Sequence, residues 1–256
     1  MKGTLTVLGS GTSTGVPTLG CPCEVCHSRD PRDQRLRPSV WLSFAGHNVV
    51  FDTTPDFRTQ ALRAGIPSLD AVFYTHSHAD HIMGMDDIRP FNFGRPEPLP
   101  IFGNAATLAD IRRVFQYVFE AKTTASAIPR VDAREITAPV EVFGARFEPI
   151  TVLHGSLPIL GYRFGANAYL TDVSEIPAAS RGRLRDLDVL ILDALRLRPH
   201  PTHFHLAQSL QLVEELRPRR AFFTHIAHEM AHAATEEKLP AGVHLAYDGL
   251  ELEVDL

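Results

Sequence analysis

Residues 76 to 81 read His76-Ser77-His78-Ala79-Asp80-His81, four metal-ligating side chains within six positions. They follow an apolar, β-branched and aromatic run, Ala71-Val72-Phe73-Tyr74, with Thr75 between. A buried strand therefore ends where the ligands begin. An extended turn can aim His76 and His78 at one ion while Asp80 and His81 face a second. Neutral imidazoles and carboxylates suit zinc, manganese or iron. A solvated polar loop is the alternative reading, but groups this crowded need a partner to offset their desolvation. The cluster constrains the fold: other strands must end nearby to complete its ligand set.

Several strands are suited to that task. Val49-Val50-Phe51 ends at Asp52, Ile150-Thr151-Val152-Leu153 at His154, and Tyr169-Leu170-Thr171 at Asp172. Leu190-Ile191-Leu192 ends at Asp193, and Phe222-Phe223-Thr224 at His225. Strand ends can converge on one rim of a sheet. Two ions need about seven protein ligands plus water, and His154, Asp172 and His225 bring the cluster to that number.

At 256 residues, with 44% hydrophobic and 21% charged residues, the chain can bury a full core in one large α/β domain. The apolar runs fall short of the ~20 residues that span a bilayer. The N-terminus enters a strand at once without a signal-peptide pattern, so a cytoplasmic enzyme is expected. The net charge of −5 and the lack of a long basic run argue against a nucleic-acid partner and for a small substrate. No membrane partner is expected, and a homodimer stays open.

The three cysteines, Cys21, Cys23 and Cys26, lie within six residues. An odd, crowded set makes a poor disulfide framework. C-x-C-x-x-C is a good zinc ligand set lacking its fourth member, with a redox trio as the alternative.

Alternating patterns place strands at Thr4–Leu8, Ser39–Phe44, Asn48–Phe51 and Leu69–Tyr74, the middle two forming a hairpin. Further strands are expected at Val140–Phe143, Arg146–Leu153, Leu160–Phe164, Ala168–Thr171, Val189–Leu192, Ala221–Thr224, Val243–Tyr247 and Leu250–Val254. Helices are expected at Pro55–Ala64, Ala105–Glu120, Leu206–Leu216 and His228–Lys238, with a Pro- and Phe-rich loop from Met85 to Pro100. Hairpins and meanders with interspersed helices fit two mixed sheets packed face to face, flanked by helices.

His76-Ser77-His78-Ala79-Asp80-His81 followed by His154, Asp172 and His225 resembles the metallo-β-lactamase superfamily, whose fold is an αβ/βα sandwich. The resemblance implies a single hydrolase domain over residues 1–256. It implies a first metal on His76, His78 and His154 and a second on Asp80, His81 and His225, with Asp172 bridging. Asp52 corresponds to an aspartate that orients the histidine loop without binding metal. Gly9-Ser10-Gly11-Thr12-Ser13-Thr14-Gly15-Val16-Pro17 followed by Cys21, Cys23 and Cys26 is similar to the phosphoribosyl 1,2-cyclic phosphate phosphodiesterases of phosphonate degradation. That family implies a structural zinc on the three cysteines and His228, and a catalytic histidine at His203, with His205 second.

The expected activity is hydrolysis of a small cyclic phosphodiester by a hydroxide shared between two divalent ions, manganese or zinc. Asp80 serves this catalysis as well as binding metal, and His203 is the general acid. The glycines of the Ser10–Gly15 loop either cradle a phosphate or only permit tight turns. Arg89, Lys122 and Arg130 are candidates for a second phosphate. His27, His47, His200, His232 and His244 are expected on the surface or in structural roles. The alternatives are a transfer-RNA 3′-processing endonuclease, whose basic arm is missing here, and a non-catalytic metal-binding accessory protein.

Overall fold

The computed structural model describes residues 1–120 and 127–256. Fourteen strands among these residues form two seven-stranded sheets. The first sheet contains β1 (Lys2–Gly9), β2 (Ser39–Phe44), β3 (His47–Phe51), β4 (Ala71–Phe73), β5 (Leu99–Gly103), β6 (Val131–Glu135) and β14 (Glu251–Asp255), in the order β14-β1-β2-β3-β4-β5-β6. The second contains β7 (Val140–Val142), β8 (Ala145–His154), β9 (Leu157–Phe164), β10 (Asn167–Leu170), β11 (Val189–Asp193), β12 (Arg220–Thr224) and β13 (Val243–Leu245), in the order β13-β12-β11-β10-β9-β8-β7. Both are mixed, and helices cover their outer faces. This is the αβ/βα sandwich expected from the sequence.

Side-chain alternation explains the layers. Leu5, Leu42, Phe51 and Phe73 of the first sheet meet Phe147, Tyr162, Phe164 and Ile191 of the second in one buried core. The intervening residues Val50, Val72 and Ile101 face outward and pack with Phe57, Leu108 and Ile111 of helices α1 (Phe57–Ala64) and α3 (Ala105–Val114). On the far side, Leu190, Leu192 and Phe223 meet Leu212 of α6 (Leu206–Leu216). Each central strand is thus apolar on both faces, the pattern of a sheet buried between layers.

Strand direction delivers the candidate ligands. β3, β4, β5 and β6 run parallel, as do β10, β11, β12 and β13. β8 pairs antiparallel with β9, which pairs antiparallel with β10, so β8 shares the direction of β10. The carboxyl ends of β3, β4, β8, β10, β11 and β12 therefore gather on one rim, carrying Asp52, the histidine cluster, His154, Asp172, Asp193 and His225. Ligand sites in parallel sheets commonly lie beyond such ends.

Some expected elements differ. The Met85–Pro100 segment contains a 3₁₀ helix over Met85–Asn92, and β5 starts at Leu99, with Pro100 inside it. Proline disfavours strand interiors, which concealed β5 in the sequence. β6 is likewise unanticipated; its run Val131-Asp132-Ala133-Arg134-Glu135 carries few apolar residues. The long helix divides at Phe115 into α3 and α4 (Gln116–Glu120). Ala79–Ile82 forms a helical turn, α2, and Ala178–Arg181 a further one, α5. The helix expected over His228–Lys238 shortens to α7 (His232–Glu236). His228 lies ahead of it, held toward the cysteines. No helix among the described residues is long and apolar enough to cross a membrane.

Phe51 is fully buried and packs against Phe73, Phe147, Tyr162, Phe164 and Tyr169 with ring centroids 5.3 to 6.3 Å away. It joins both sheets. Phe51→Ala should therefore destabilise the protein by about 3–5 kcal/mol, read as a fall in the urea midpoint. A loss below about 1 kcal/mol would show that the core collapses to fill the space.

Candidate active site

The rim is organised from Asp52, a fully buried carboxylate in the left-handed backbone region (φ 63°). Ser39 Oγ donates to the carbonyls of Phe51 and Asp52 at 3.0 and 2.9 Å, fixing the strand exit. Asp52 Oδ1 accepts the Thr75 N–H and Oδ2 accepts the Thr75 hydroxyl, both at 2.8 Å. Oδ2 also accepts from His81 Nδ1 at 2.7 Å. Because the Thr75 proton goes to Asp52, Thr75 Oγ1 accepts from His76 Nδ1 at 3.0 Å. His154 Nδ1 donates to the Thr202 carbonyl at 2.8 Å. In all three rings the proton sits on Nδ1, leaving Nε2 as a lone-pair donor.

Those free nitrogens converge. His76, His78 and His154 place one ligating atom each within 4.8 Å of one another, and so do Asp80, His81, Asp172 and His225. His81 Nε2 lies 3.2 Å from Asp172 Oδ2 and 3.3 Å from Asp80 Oδ2, and His225 Nε2 lies 3.2 Å from Asp172 Oδ1. Yet the buried Nε2 atoms of His76, His81 and His225 have no properly oriented hydrogen-bond partner among the described residues. Asp52, Asp80, Asp172 and Asp193 bring four buried carboxylates to this region, and none pairs with a lysine or arginine among the described residues. Orphaned imidazole nitrogens beside unneutralised carboxylates fit divalent cations.

The titration behaviour has the same origin. Burial holds the His76 pKa well below the ordinary imidazole range. Burial would also lower His81, but Asp172, Asp80 and Asp52 raise it well above that range. For His225, burial is likewise outweighed, with Asp172 foremost, and its pKa rises to about 9. Asp172 stays well below the carboxylate range because His225 and His81 outweigh burial. A divalent cation would satisfy these carboxylates in place of those imidazole protons.

Asp193 is fully buried at the end of β11 and accepts from Val173 N at 2.9 Å and from His203 Nδ1 at 3.0 Å, both on Oδ2. The His203 ring stacks 4.7 Å from His225 and meets His154 edge-on at 4.6 Å. His203 thus enters the cluster with Nε2 free. His205 instead caps α6, contacting Gln208 Oε1 through its backbone N–H at 3.2 Å and Nδ1 at 2.5 Å. Asp193 is the residue whose contribution sequence reasoning missed; the only sign was a strand ending in an acid.

A second donor set forms at the N-terminal loop. The sulfurs of Cys21, Cys23 and Cys26 lie 3.1, 3.4 and 3.5 Å from His228 Nδ1. One nitrogen cannot satisfy three thiols, whereas an S₃N set fits tetrahedral zinc. The Cys26 N–H chiefly lowers the Cys23 thiol to about 6, while burial pushes Cys26 up to about 11. His228 sits three residues beyond His225, so adjacent turns of one segment serve both sets.

The glycine loop has a structural explanation. Ser10 N, Gly11 N, Thr12 N and Gly15 N donate to Asp248 Oδ1, Leu36 O, Ile226 O and Thr12 O. A Cβ on Gly9 would stand 1.9 Å from Arg37 O. These four N–H groups are engaged by Leu36, Ile226, Asp248 and the loop itself and are not free to cradle a phosphate. Arg89 donates to Ala127 O, and Arg130 to Arg95 O and Pro96 O, so both pin loops; Lys122 lies outside the described residues. Among the remaining histidines, His232 is buried, His47 stacks on Phe143, His244 bonds Glu236 and His27 is exposed. His200 stands beside His203, with ring centroids 5.0 Å apart.

Comparisons with known proteins agree with this architecture. A family model described as the beta-lactamase superfamily domain matches residues 47–226. The crystal structure of a diphosphatase from the PhnP family superposes with a TM-score of 0.94 at 51% identity, covering 99% of this chain and 98% of that one. An octanoyltransferase of Porphyromonas gingivalis is 39% identical over 254 residues, but the chain, matched over 97% of its length, spans only about half (51%) of that protein. A ribonuclease Z of Methanosarcina acetivorans is 35% identical over 95 residues, 36% of this chain and 30% of that enzyme. The chain belongs to the metallo-β-lactamase superfamily of metal-dependent hydrolases and, within it, to the PhnP family.

Proposed function

We propose that the protein is a phosphodiesterase dependent on two divalent ions, manganese or zinc, and that its substrate is a small cyclic phosphate, 5-phosphoribosyl 1,2-cyclic phosphate. The observation that carries this reading is the convergence of seven ligating side chains on one rim with the Asp193–His203 pair beside them. The likeness to a PhnP-family diphosphatase supports phosphorus chemistry.

His76, His78 and His154 would hold one ion and Asp80, His81 and His225 the other; Asp172, whose carboxylate lies close to His154 as well as to Asp80, His81 and His225, would serve both. Bound ions would act as Lewis acids on the phosphoryl oxygens and make a nucleophile available from water at neutral pH. The protein's own groups supply the rest. Asp80 accepts a hydrogen bond from the attacking water and fixes its approach. Asp193 accepts from His203 Nδ1–H and stabilises the doubly protonated ring, whose Nε2–H faces the site and passes its proton to the departing oxygen, leaving the neutral imidazole. Asp52 fixes the tautomers of His81 and, through Thr75, of His76. Cys21, Cys23, Cys26 and His228 would hold a structural zinc. The net charge of −5 favours a small substrate over RNA. Partial likeness to ribonuclease Z keeps transfer-RNA 3′-end cleavage as the second reading.

The deciding assay measures bound metal and hydrolysis of bis-p-nitrophenyl phosphate, 5-phosphoribosyl 1,2-cyclic phosphate and precursor tRNA. Turnover of the cyclic sugar phosphate is expected. A fully metallated protein that cleaves no phosphodiester would sink the proposal, and preference for the tRNA would select the second reading. His203→Ala should lower kcat about 10²- to 10⁴-fold with metal content unchanged; lost metal would make His203 a ligand instead.

Asp52→Asn tests the tautomer argument separately. It should weaken metal binding about 10- to 100-fold in a competition titration with a chelator. Wild-type affinity in that variant would remove Asp52 from any role in orienting the ligands.

A further inference from the structure

His200 lies in Pro199-His200-Pro201-Thr202-His203, a segment folded over the turn between β8 and β9. The Thr202 carbonyl receives His154 Nδ1 at 2.8 Å, and a Cβ on Gly155 would stand 3.0 Å from Thr202 Cγ2. Two prolines flank His200 and restrict its backbone. Arg196 braces the segment by donating through Nε to Arg198 O at 3.2 Å and through Nη2 to Pro199 O at 2.8 Å. The backbone that carries the imidazole is therefore held in place before substrate arrives.

Its tautomer follows from its partners. The Thr202 N–H donates to His200 Nδ1 at 3.3 Å, and Thr202 Oγ1 stands equally close. A nitrogen that accepts a backbone N–H carries no proton, so the neutral ring presents Nε2–H as a donor. Burial, then the neighbouring His203 and Arg196, lowers its pKa and favours that neutral form. His203 is buried and stacked among His154 and His225, whereas His200 is half-buried, one ring further out. With His203 protonating the departing oxygen, the His200 ring, its centroid 5.0 Å from that of His203 and less buried, stands within reach of what that oxygen carries.

We propose that His200 is a further substrate-contacting residue, donating Nε2–H to an oxygen on the leaving-group side of the phosphodiester. For a phosphoribosyl substrate this is a ribose or phosphate oxygen. The assignment rests on the phosphodiesterase reading above. It gives the enzyme a means of preferring ribosyl substrates to simple diesters.

The test compares His200→Ala, His200→Gln and His200→Asn on 5-phosphoribosyl 1,2-cyclic phosphate and on bis-p-nitrophenyl phosphate. Glutamine returns an amide N–H near the Nε2 position. Asparagine places its amide oxygen near Nδ1, which preserves the Thr202 contact, and puts no group at the Nε2 position. Alanine and asparagine should raise KM for the ribosyl substrate about five- to tenfold, the worth of one neutral hydrogen bond. Glutamine should recover most of that, and the loss on bis-p-nitrophenyl phosphate should be several-fold smaller. Full activity in the asparagine variant beside an impaired alanine variant would reduce His200 to a support for Thr202 and overturn the proposal. Equal losses on both substrates, or no loss on either, would overturn it too. If the wild-type protein cleaves neither substrate, the phosphodiesterase reading itself falls, and the His200 assignment with it.

Discussion

The Asp52 carboxylate is the fixed point of the active-site rim. Buried without a lysine or arginine partner among the described residues, it is stabilised by the Thr75 N–H, the Thr75 hydroxyl and His81 Nδ1. An isolated buried carboxylate is costly, and burial raises its pKa. Three donors at 2.7 to 2.8 Å offset that cost. The same three bonds decide which nitrogen of His81 and His76 points into the site. In the proposed site, metal affinity would thus depend on a carboxylate that is not itself a ligand.

Backbone strain accompanies this arrangement. Asp52, Asp172 and His225 all adopt positive φ, at 63°, 58° and 59°, within two residues of the ends of their strands. Non-glycine residues held in that region cost about 1–3 kcal/mol each. The left-handed turn redirects the chain so that a side chain at the end of a parallel strand looks across the rim. Glycine would relieve the strain but offers no ligand. Three independent strand ends accept the same cost because each must deliver chemistry to one point.

The layered fold was legible because its signal is local and periodic: Phe51 inward beside Val50 outward, with the same alternation along β11. The candidate ligands were legible because acidic and imidazole groups terminate apolar runs. β5 and β6 were hidden, since Pro100 interrupts one and Asp132, Arg134 and Glu135 dilute the other; their strand character comes from neighbours in the sheet. The Asp193–His203 pair and the His200 tautomer depend on contacts across ten residues or on a single backbone N–H. Spacing alone carries no trace of either. The glycine loop was ambiguous until its N–H partners in residues 12, 36, 226 and 248 were known.

Arg35 explains why the cysteine set and the active-site rim belong to one structure. Its side chain is fully buried, and its guanidinium donates to Asp33 at 2.9 Å, to Met230 O at 2.7 Å and to Ala227 O at 3.1 Å. Asp33 Oδ1 also accepts the His232 N–H at 2.8 Å. The carbonyls of Ala227 and Met230 bracket His228, and Ile226 donates its N–H to Ser10 O beside His225. One buried cation therefore ties residues 226–232 to the N-terminal loop that carries the cysteines. A buried ion pair of this kind adds little net stability over an apolar substitute, but it defines geometry. Its carbonyl partners are fixed in direction, so the chain between them has little freedom to turn. His225 and His228, three residues apart, consequently face opposite donor sets. A zinc at the cysteines would tighten the same segment from its other side, placing the proposed structural site and the proposed catalytic rim under a common constraint.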